Sequence, residues 1–167
     1  LSCGVRHAVI CPGSRSTPMA VALADRADIE MHVFHDERSA AFAALGIGKA
    51  SKVPAILLCT SGTAAVEFYP AVVEADHALV PILVCTADRP PELQNVGAPQ
   101  TINQKNLYGN SVRSFVDAPV AENHEKSQWR SIARDALQAS LGKNLVRSPG
   151  PVHINLQFRE PLIGVTE

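Results

Sequence analysis

His32-Val-Phe-His35-Asp36-Glu37-Arg38-Ser-Ala-Ala-Phe-Ala-Ala-Leu-Gly46-Ile-Gly48-Lys-Ala50 holds a strand end and a helix start within a few residues. Met31 to Phe34 reads as a short apolar strand running into His35-Asp36, and the Ala-rich run after it predicts a helix opening at Glu37. Asp36 suits the N-cap, because its carboxylate can accept a hydrogen bond from a free backbone N–H of the first turn. The helix is apolar nearly all round, with Ala40, Ala41, Phe42, Ala43, Ala44, Leu45 and Ile47, which predicts burial. Gly46 and Gly48 lower helix propensity and are expected to permit close backbone packing. Two readings of Glu37 are open. First-turn acids commonly face the positive end of the helix dipole. The strand-to-helix edge of an open α/β sheet is also where ligands bind.

The same strand–turn–helix pattern recurs on either side. Ala8 to Cys11 is the first strand, and Pro12-Gly13-Ser14-Arg15-Ser16-Thr17-Pro18 leads into a helix to about Arg26. Pro18 fits a first helical position, with Ser16 or Thr17 as cap. This loop is either an anion site at a helix N-terminus or a tight turn with a solvated arginine. Arg15 can hold a carboxylate through two parallel hydrogen bonds. Ala55 to Cys59 is the third strand, Thr60-Ser61-Gly62-Thr63 its turn, and Ala64 to Asp76 its helix. Pro81 to Thr86 is the fourth strand and leads to Ala87-Asp88-Arg89-Pro90-Pro91-Glu92-Leu93. There Asp88 and Arg89 form a local ion pair of little worth, or the proline-stiffened turn aims Arg89 into a cleft. Gln94 to Asn110 reads as a long polar loop with a short helix near Lys105.

A strand follows at Val112 to Val116. A helix spans His124 to Leu141, with Trp129, Ile132, Ala133, Ala136, Leu137 and Leu141 on its apolar face and Gly142 as its stop. Pro151 to Leu156 is the last strand. Strands alternating with helices predict a three-layer α/β/α fold, a doubly wound, mainly parallel sheet of about six strands. All strand-end loops then open on one edge, and Ser14, Arg15, Glu37, Thr63 and Arg89 share a rim.

A 167-residue chain with 46% hydrophobic residues suits one domain. A net charge of −1 offers no basic excess for nucleic acid. No apolar run approaches the ~18 residues of a membrane span, and no charged-then-apolar leader is visible. Cys3, Cys11, Cys59 and Cys85 show no CxxC spacing and read as small buried hydrophobes of a reducing, cytoplasmic setting. A metal site from Cys11, Cys59 and Cys85 lacks the paired spacing of zinc sites, so no metal ligand is assigned. GxGxxG, GxxxxGK[ST] and GxSxG are absent. His35 and His153 are expected to be core or edge histidines rather than bases. Leu1 in place of Met, and a strand within a few residues of it, suggest a piece of a longer polypeptide, with a linker beginning at Gly164 to Glu167.

The strand before Glu37, the helix with Ala41, Ala44 and Gly46, and the Thr60-Ser61-Gly62 turn resemble the pyrimidine-binding domain of thiamine-diphosphate enzymes. Five segments narrow the resemblance to the branch acting in menaquinone biosynthesis. They are Pro12 to Pro18, Asp36-Glu37-Arg38, Thr60 to Ala64, Thr86 to Leu93, and Gly150-Pro-Val-His-Ile-Asn155. They fall in the expected order, and the likeness covers nearly the whole chain. Pro99 stands where many members carry Asn before the position of Gln100, and Gln157 replaces a frequent Pro.

The resemblance implies a transferase that decarboxylates 2-oxoglutarate and adds the resulting carbanion to isochorismate. It makes Glu37 the catalytic carboxylate, exchanging a proton with a ring nitrogen of the cofactor's aminopyrimidine. Pro12, Gly62 and Thr63 would line the pyrimidine with Glu37. Ser14, Arg15, Arg89 and Gln100 would bind substrate, and both substrates are carboxylates, which suits the two arginines. The diphosphate and its Mg2+ would belong to a separate domain carrying Gly-Asp-Gly and a later Asn, which nothing here matches. The chain is therefore expected to be half a site and silent alone, within a homodimer or homotetramer. Alternatives are a non-catalytic assembly or regulatory domain of the same fold, or another thiamine-diphosphate 2-oxoacid decarboxylase or synthase. A nucleotide-binding Rossmann domain is disfavoured by the missing glycines.

Overall fold

Strands β1 (His7–Ile10), β2 (Glu30–Val33), β3 (Ala55–Cys59), β4 (Ile82–Asp88), β5 (Phe115–Ala118) and β6 (Pro151–Gln157) form one parallel sheet. Its order is β2-β1-β3-β4-β6-β5. The computed structural model describes residues 4–120, 126–143 and 147–163. β3, β4 and β6 are buried along their whole length, which is why β3 and β4 read as near-continuous apolar runs. Edge strands β2 and β5 are short and only partly covered.

Helices α1 (Thr17–Ala24) and α5 (Lys126–Ser140) cover one face, over Ile10, Leu23, Ile56, Leu83, Leu137 and Ile154. Helices α2 (Glu37–Ser51), α3 (Thr63–Glu67) and α4 (Tyr69–His77) cover the other, over Ala41, Ala44, Leu57, Phe68, Val72 and Val84. This is the three-layer arrangement that the alternating pattern predicts.

α2 opens as its sequence requires: Asp36 Oδ1 accepts from the Ser39 backbone N–H at 2.7 Å. The all-round burial expected of it is corrected. α2 buries one stripe, Ala40, Ala41, Ala44 and Gly48, and Phe42 stays 43% exposed, because an outer-layer helix has the sheet on one side only. The two glycines also divide. A Cβ on Gly48 would lie 2.5 Å from the Pro81 carbonyl oxygen, whereas one on Gly46 meets nothing within 4 Å. Gly46→Ala is therefore expected to stabilise the fold by about 0.5–1 kcal/mol through helix propensity. Gly48→Ala is expected to cost about 1–3 kcal/mol through overpacking. Denaturant titration of both variants checks this, and equal shifts would contradict it.

Other boundaries moved for identifiable reasons. The single helix expected at Ala64 to Asp76 is two, parted at Phe68, since Pro70 lacks an N–H and crowds the turn before it. A 3-10 turn, Ser14–Ser16, precedes α1, and Ser16 Oγ donates back to the Gly13 carbonyl instead of capping. No helix forms at Lys105; Asn103 Oδ1 accepts the Lys105 N–H in a turn, and a 3-10 turn follows at Gly109–Ser111. β5 begins at Phe115, because Val112 packs into the α2-side core before the strand starts. Ala133 is exposed on α5. Gly142, at φ +68°, closes that helix: the Lys143 N–H bonds the Gln138 carbonyl and the Gly142 N–H that of Ala139. Cys3, the helix start at His124 and the linker at Gly164 to Glu167 lie outside the described residues.

Cys11, Cys59 and Cys85 are buried and free. Burial, then the charges of Glu37 and Asp36, pushes the Cys11 thiol up to about 12, and burial does the same to Cys85. Among the described residues the three form no metal-ligating group, and no helix is long and apolar enough to cross a membrane.

Candidate active site

In a parallel sheet the strand-end loops gather on one edge. Along that edge Glu37 follows β2, Pro12 to Arg15 follow β1, Thr60 to Thr63 follow β3, and Arg89 closes β4. Strands lie about 4.8 Å apart, so Glu37 and Arg89, three strands apart, stand on the order of 15 Å from each other. After β1 the chain leaves to the α1 face, and after β3 to the α4 face. That divergence makes the crevice where open α/β sheets bind ligands. The two loops touch there, since a Cβ on Gly13 would overlap the Thr60 side chain. Gly62 sits at φ 86°, ψ −144°, comfortable only for glycine, and a Cβ there would press on Gln100 at 3.0–3.2 Å.

Glu37 lies in the first turn of α2, half-buried. Among the described residues its carboxylate has neither a hydrogen bond nor an ion pair. Capping falls to Asp36, whose carboxyl the Ser39 hydrogen bonds hold below its ordinary range. After burial, the charge of Glu37 raises the Cys11 thiol, and at Cys59 it follows burial and the Cys11 charge. The burial expected of the helix does not extend fully to Glu37: among the described residues no strand pairs with the outer side of edge strand β2.

Arg15 is 3% exposed. Its Nη1 donates to the Phe158 carbonyl and its Nη2 to Glu160 Oε1, each at 3.0 Å, while Nε is buried without a partner. Nη2 thus already meets a carboxylate, one whose side chain is 72% exposed. Arg89 makes no ion pair with Asp88 among the described residues; Asp88 Oδ1 accepts the Arg89 backbone N–H instead, at 2.7 Å. Arg89 Nη2 donates to the Pro99 carbonyl, and its Nε is buried and unpartnered. Gln100 clamps the β3 turn, its Nε2 donating to the Ser61 carbonyl and its own carbonyl accepting from Ser61 Oγ. Pro12, Ser14 and Thr63 are exposed on the rim.

Beneath the rim lies a buried polar network that the sequence reading missed. Gln104 Oε1 accepts the Gly62 N–H at 2.8 Å, and Gln104 Nε2 donates to Asn155 Oδ1 and the Ala87 carbonyl. Asn155 Nδ2 donates to Asp88 and Asp117, and Thr86 Oγ1 donates to Asn155 Oδ1. Because that hydroxyl's proton is committed, His153 Nε2, 2.8 Å from Thr86 Oγ1, carries a proton and donates. One signal was legible: Asn155 and Gln157 interrupt a strand buried on both faces.

The network has opposing pH dependences. Burial pushes the Asp88 carboxyl up to about 6, tempered by the Asn155 hydrogen bond, and burial pushes His153 from 6.5 down to about 4. Between pH 6.5 and 4 the unfolded chain protonates at His153 and the folded chain does not, so that group's stability contribution falls as pH falls, by about 3 kcal/mol at pH 4. Between about 4 and 6 Asp88 works the other way, since there the folded chain binds the extra proton. His153→Gln removes only the first effect. Relative to the parent, the variant is expected to gain stability as pH drops through this range in urea titrations; parallel profiles would contradict it.

Residues 1–107 match the family described as thiamine pyrophosphate enzyme, N-terminal TPP binding domain. The chain belongs to that family. This TPP-binding domain is 53% identical over 160 residues to the 2-succinyl-5-enolpyruvyl-6-hydroxy-3-cyclohexene-1-carboxylate synthase of Bacillus velezensis, covering 96% of this chain and 27% of the relative. The Thermobifida fusca enzyme of the same name is 52% identical over 162 residues, covering 96% and 29%. That of Listeria innocua is 47% identical over 168 residues, covering 98% and 28%. The TPP-binding domain thus spans a little over a quarter of the length of these relatives.

Proposed function

We propose that the chain is the pyrimidine-binding domain of a synthase that decarboxylates 2-oxoglutarate and joins the remaining four-carbon unit to isochorismate. The observation that carries this reading is Glu37, a carboxylate without a hydrogen bond or ion pair among the described residues, at the ligand edge of the sheet, beside an Asp36 that already caps the helix. The rim fits thiamine pyrophosphate. Glu37, Pro12, Gly62 and Thr63 would hold its pyrimidine, with Gly62 in a turn whose shape is fixed by Gln100 and Gln104. When bound, thiamine pyrophosphate supplies the carbon nucleophile and electron sink that decarboxylation of a 2-oxo acid requires. Glu37 contributes a carboxylate oxygen that shares a proton with a pyrimidine ring nitrogen, and a positioned acid–base group of this kind is worth about 10²–10⁴ in rate.

Ser14, Arg15, Arg89 and Gln100 serve the substrates. Arg15 offers a planar guanidinium that matches a carboxylate, and its Nη2 already donates to one, that of Glu160. Mg2+ and the diphosphate belong to another part of the full-length protein. Asp36 and Asp88 are committed to backbone and side-chain donors here. Half-exposed Glu37 needs a cover, and the nearby exposed Val33 and Phe42 suit burial against a second subunit in a homodimer or homotetramer. The proposal includes a cytoplasmic transferase of menaquinone biosynthesis, and the synthase name carried by the relatives supports its carbon–carbon joining step.

The test is carbon dioxide release by the full-length protein with thiamine pyrophosphate and Mg2+. Turnover is expected with 2-oxoglutarate and is completed by isochorismate, while the 167-residue chain alone is silent. Preference for another 2-oxo acid, or activity of the lone chain, would contradict the reading.

A further inference from the structure

At the end of the sheet opposite the rim, β1 and edge strand β2 bring three ligand-type side chains together. Val9 and Cys11 face the α2-side core, so His7, two residues before Val9, points to the same face. The register sets Glu30 across from His7 and His32 across from Val9, which puts all three on that face. His7 Nδ1 lies 3.2 Å from His32 Nε2 and 3.5 Å from Glu30 Oε2, and His32 Nε2 lies 3.8 Å from Glu30 Oε1. One ligand atom from each residue falls within 4.8 Å of the others.

Two ligands bound at about 2.05 Å to a tetrahedral ion are about 3.3 Å apart. The imidazole nitrogens stand at that spacing, and the carboxylate needs only a small rotation to complete the triangle. We propose that His7, Glu30 and His32 bind a zinc-class divalent cation, with water in the remaining position. Two imidazoles and one carboxylate suit zinc and its transition-metal neighbours, whereas Mg2+ and Ca2+ favour all-oxygen sites. The imidazoles are about one-third exposed and the Glu30 side chain 66% exposed, so an ion can enter without unfolding. The ion's role is structural. It ties edge strand β2, which among the described residues pairs with β1 alone, to the rest of the sheet. Linear spacing gives no sign of it, because the histidines are 25 residues apart and a helix lies between them.

The test is titration of the chelator-treated full chain with Zn2+ by calorimetry and with Co2+ by visible absorption. One equivalent is expected to bind at micromolar affinity or tighter, with the intense Co2+ spectrum of a tetrahedral site and a Tm rise of a few degrees at saturating Zn2+. His7→Gln and His32→Gln should each weaken binding by at least about tenfold, with circular dichroism of the metal-free variants unchanged. Saturable Zn2+ binding that both variants retain at parental affinity would place the ion elsewhere and overturn the proposal. So would no saturable binding, or an octahedral Co2+ spectrum.

Discussion

Glu37→Gln in the full-length protein is expected to lower kcat for 2-oxoglutarate decarboxylation by about 10²-fold or more, with little change in fold. The substitution keeps the shape and the first-turn position but removes a group able to take and return a proton. Stability should barely move. The parent carboxylate makes no hydrogen bond or ion pair among the described residues, and Asp36 still caps α2 through Ser39. Only the interaction of a first-turn charge with the helix dipole is lost, about 0.3–1 kcal/mol. A loss in kcat with KM nearly constant separates acid–base work from ground-state binding. Near-parental turnover would remove Glu37 from the chemistry and return it to the other reading, an acid that merely complements its helix.

Arg15→Ala is expected to reduce kcat/KM by about 10²-fold, chiefly by raising KM for a carboxylate substrate. The guanidinium is 3% exposed with both Nη atoms engaged, so its removal also leaves the Phe158 carbonyl without its charged donor. Some loss of stability is therefore expected. Two further variants separate that loss from substrate binding. Arg15→Lys keeps a charge but not the planar fork, and should recover only part of kcat/KM. Glu160→Gln removes the internal negative charge and weakens the Nη2 contact while Nη1 stays on the Phe158 carbonyl, and this variant should bind substrate at least as well as the parent. If Arg15→Ala leaves kcat/KM unchanged, Arg15 serves only to fasten the segment after β6.

The fold was legible because its signals were local and agreed with one another. Asp36 before an Ala-rich run, Pro18 at a helix start, and the apolar runs of β3 and β4 each had a single physical interpretation. Boundaries slipped where a proline or a tertiary contact intervened, at Phe68 before Pro70 and at Val112, which packs into the core ahead of its strand. One-sided burial of α2 could not be read from alanines alone, since alanine suits both a packed and an open face.

The rim was legible as topology, because parallel strands force their ends together. The partners of its side chains were not. That Arg15 grips Glu160, or that Gln104 holds the Gly62 N–H from 42 residues away, depends on how distant loops fold back. His7, Glu30 and His32 meet only through strand register.

Deuterium exchange at the thiazolium carbon of the bound cofactor, followed by acid quench and NMR, tests the central claim most directly. It reads proton transfer at the cofactor before any substrate reacts. The full-length parent is expected to exchange rapidly, and Glu37→Gln about 10²-fold or more slowly with thiamine pyrophosphate still bound. Exchange in Glu37→Gln at the parental rate, at full cofactor occupancy, would contradict the role given to this carboxylate.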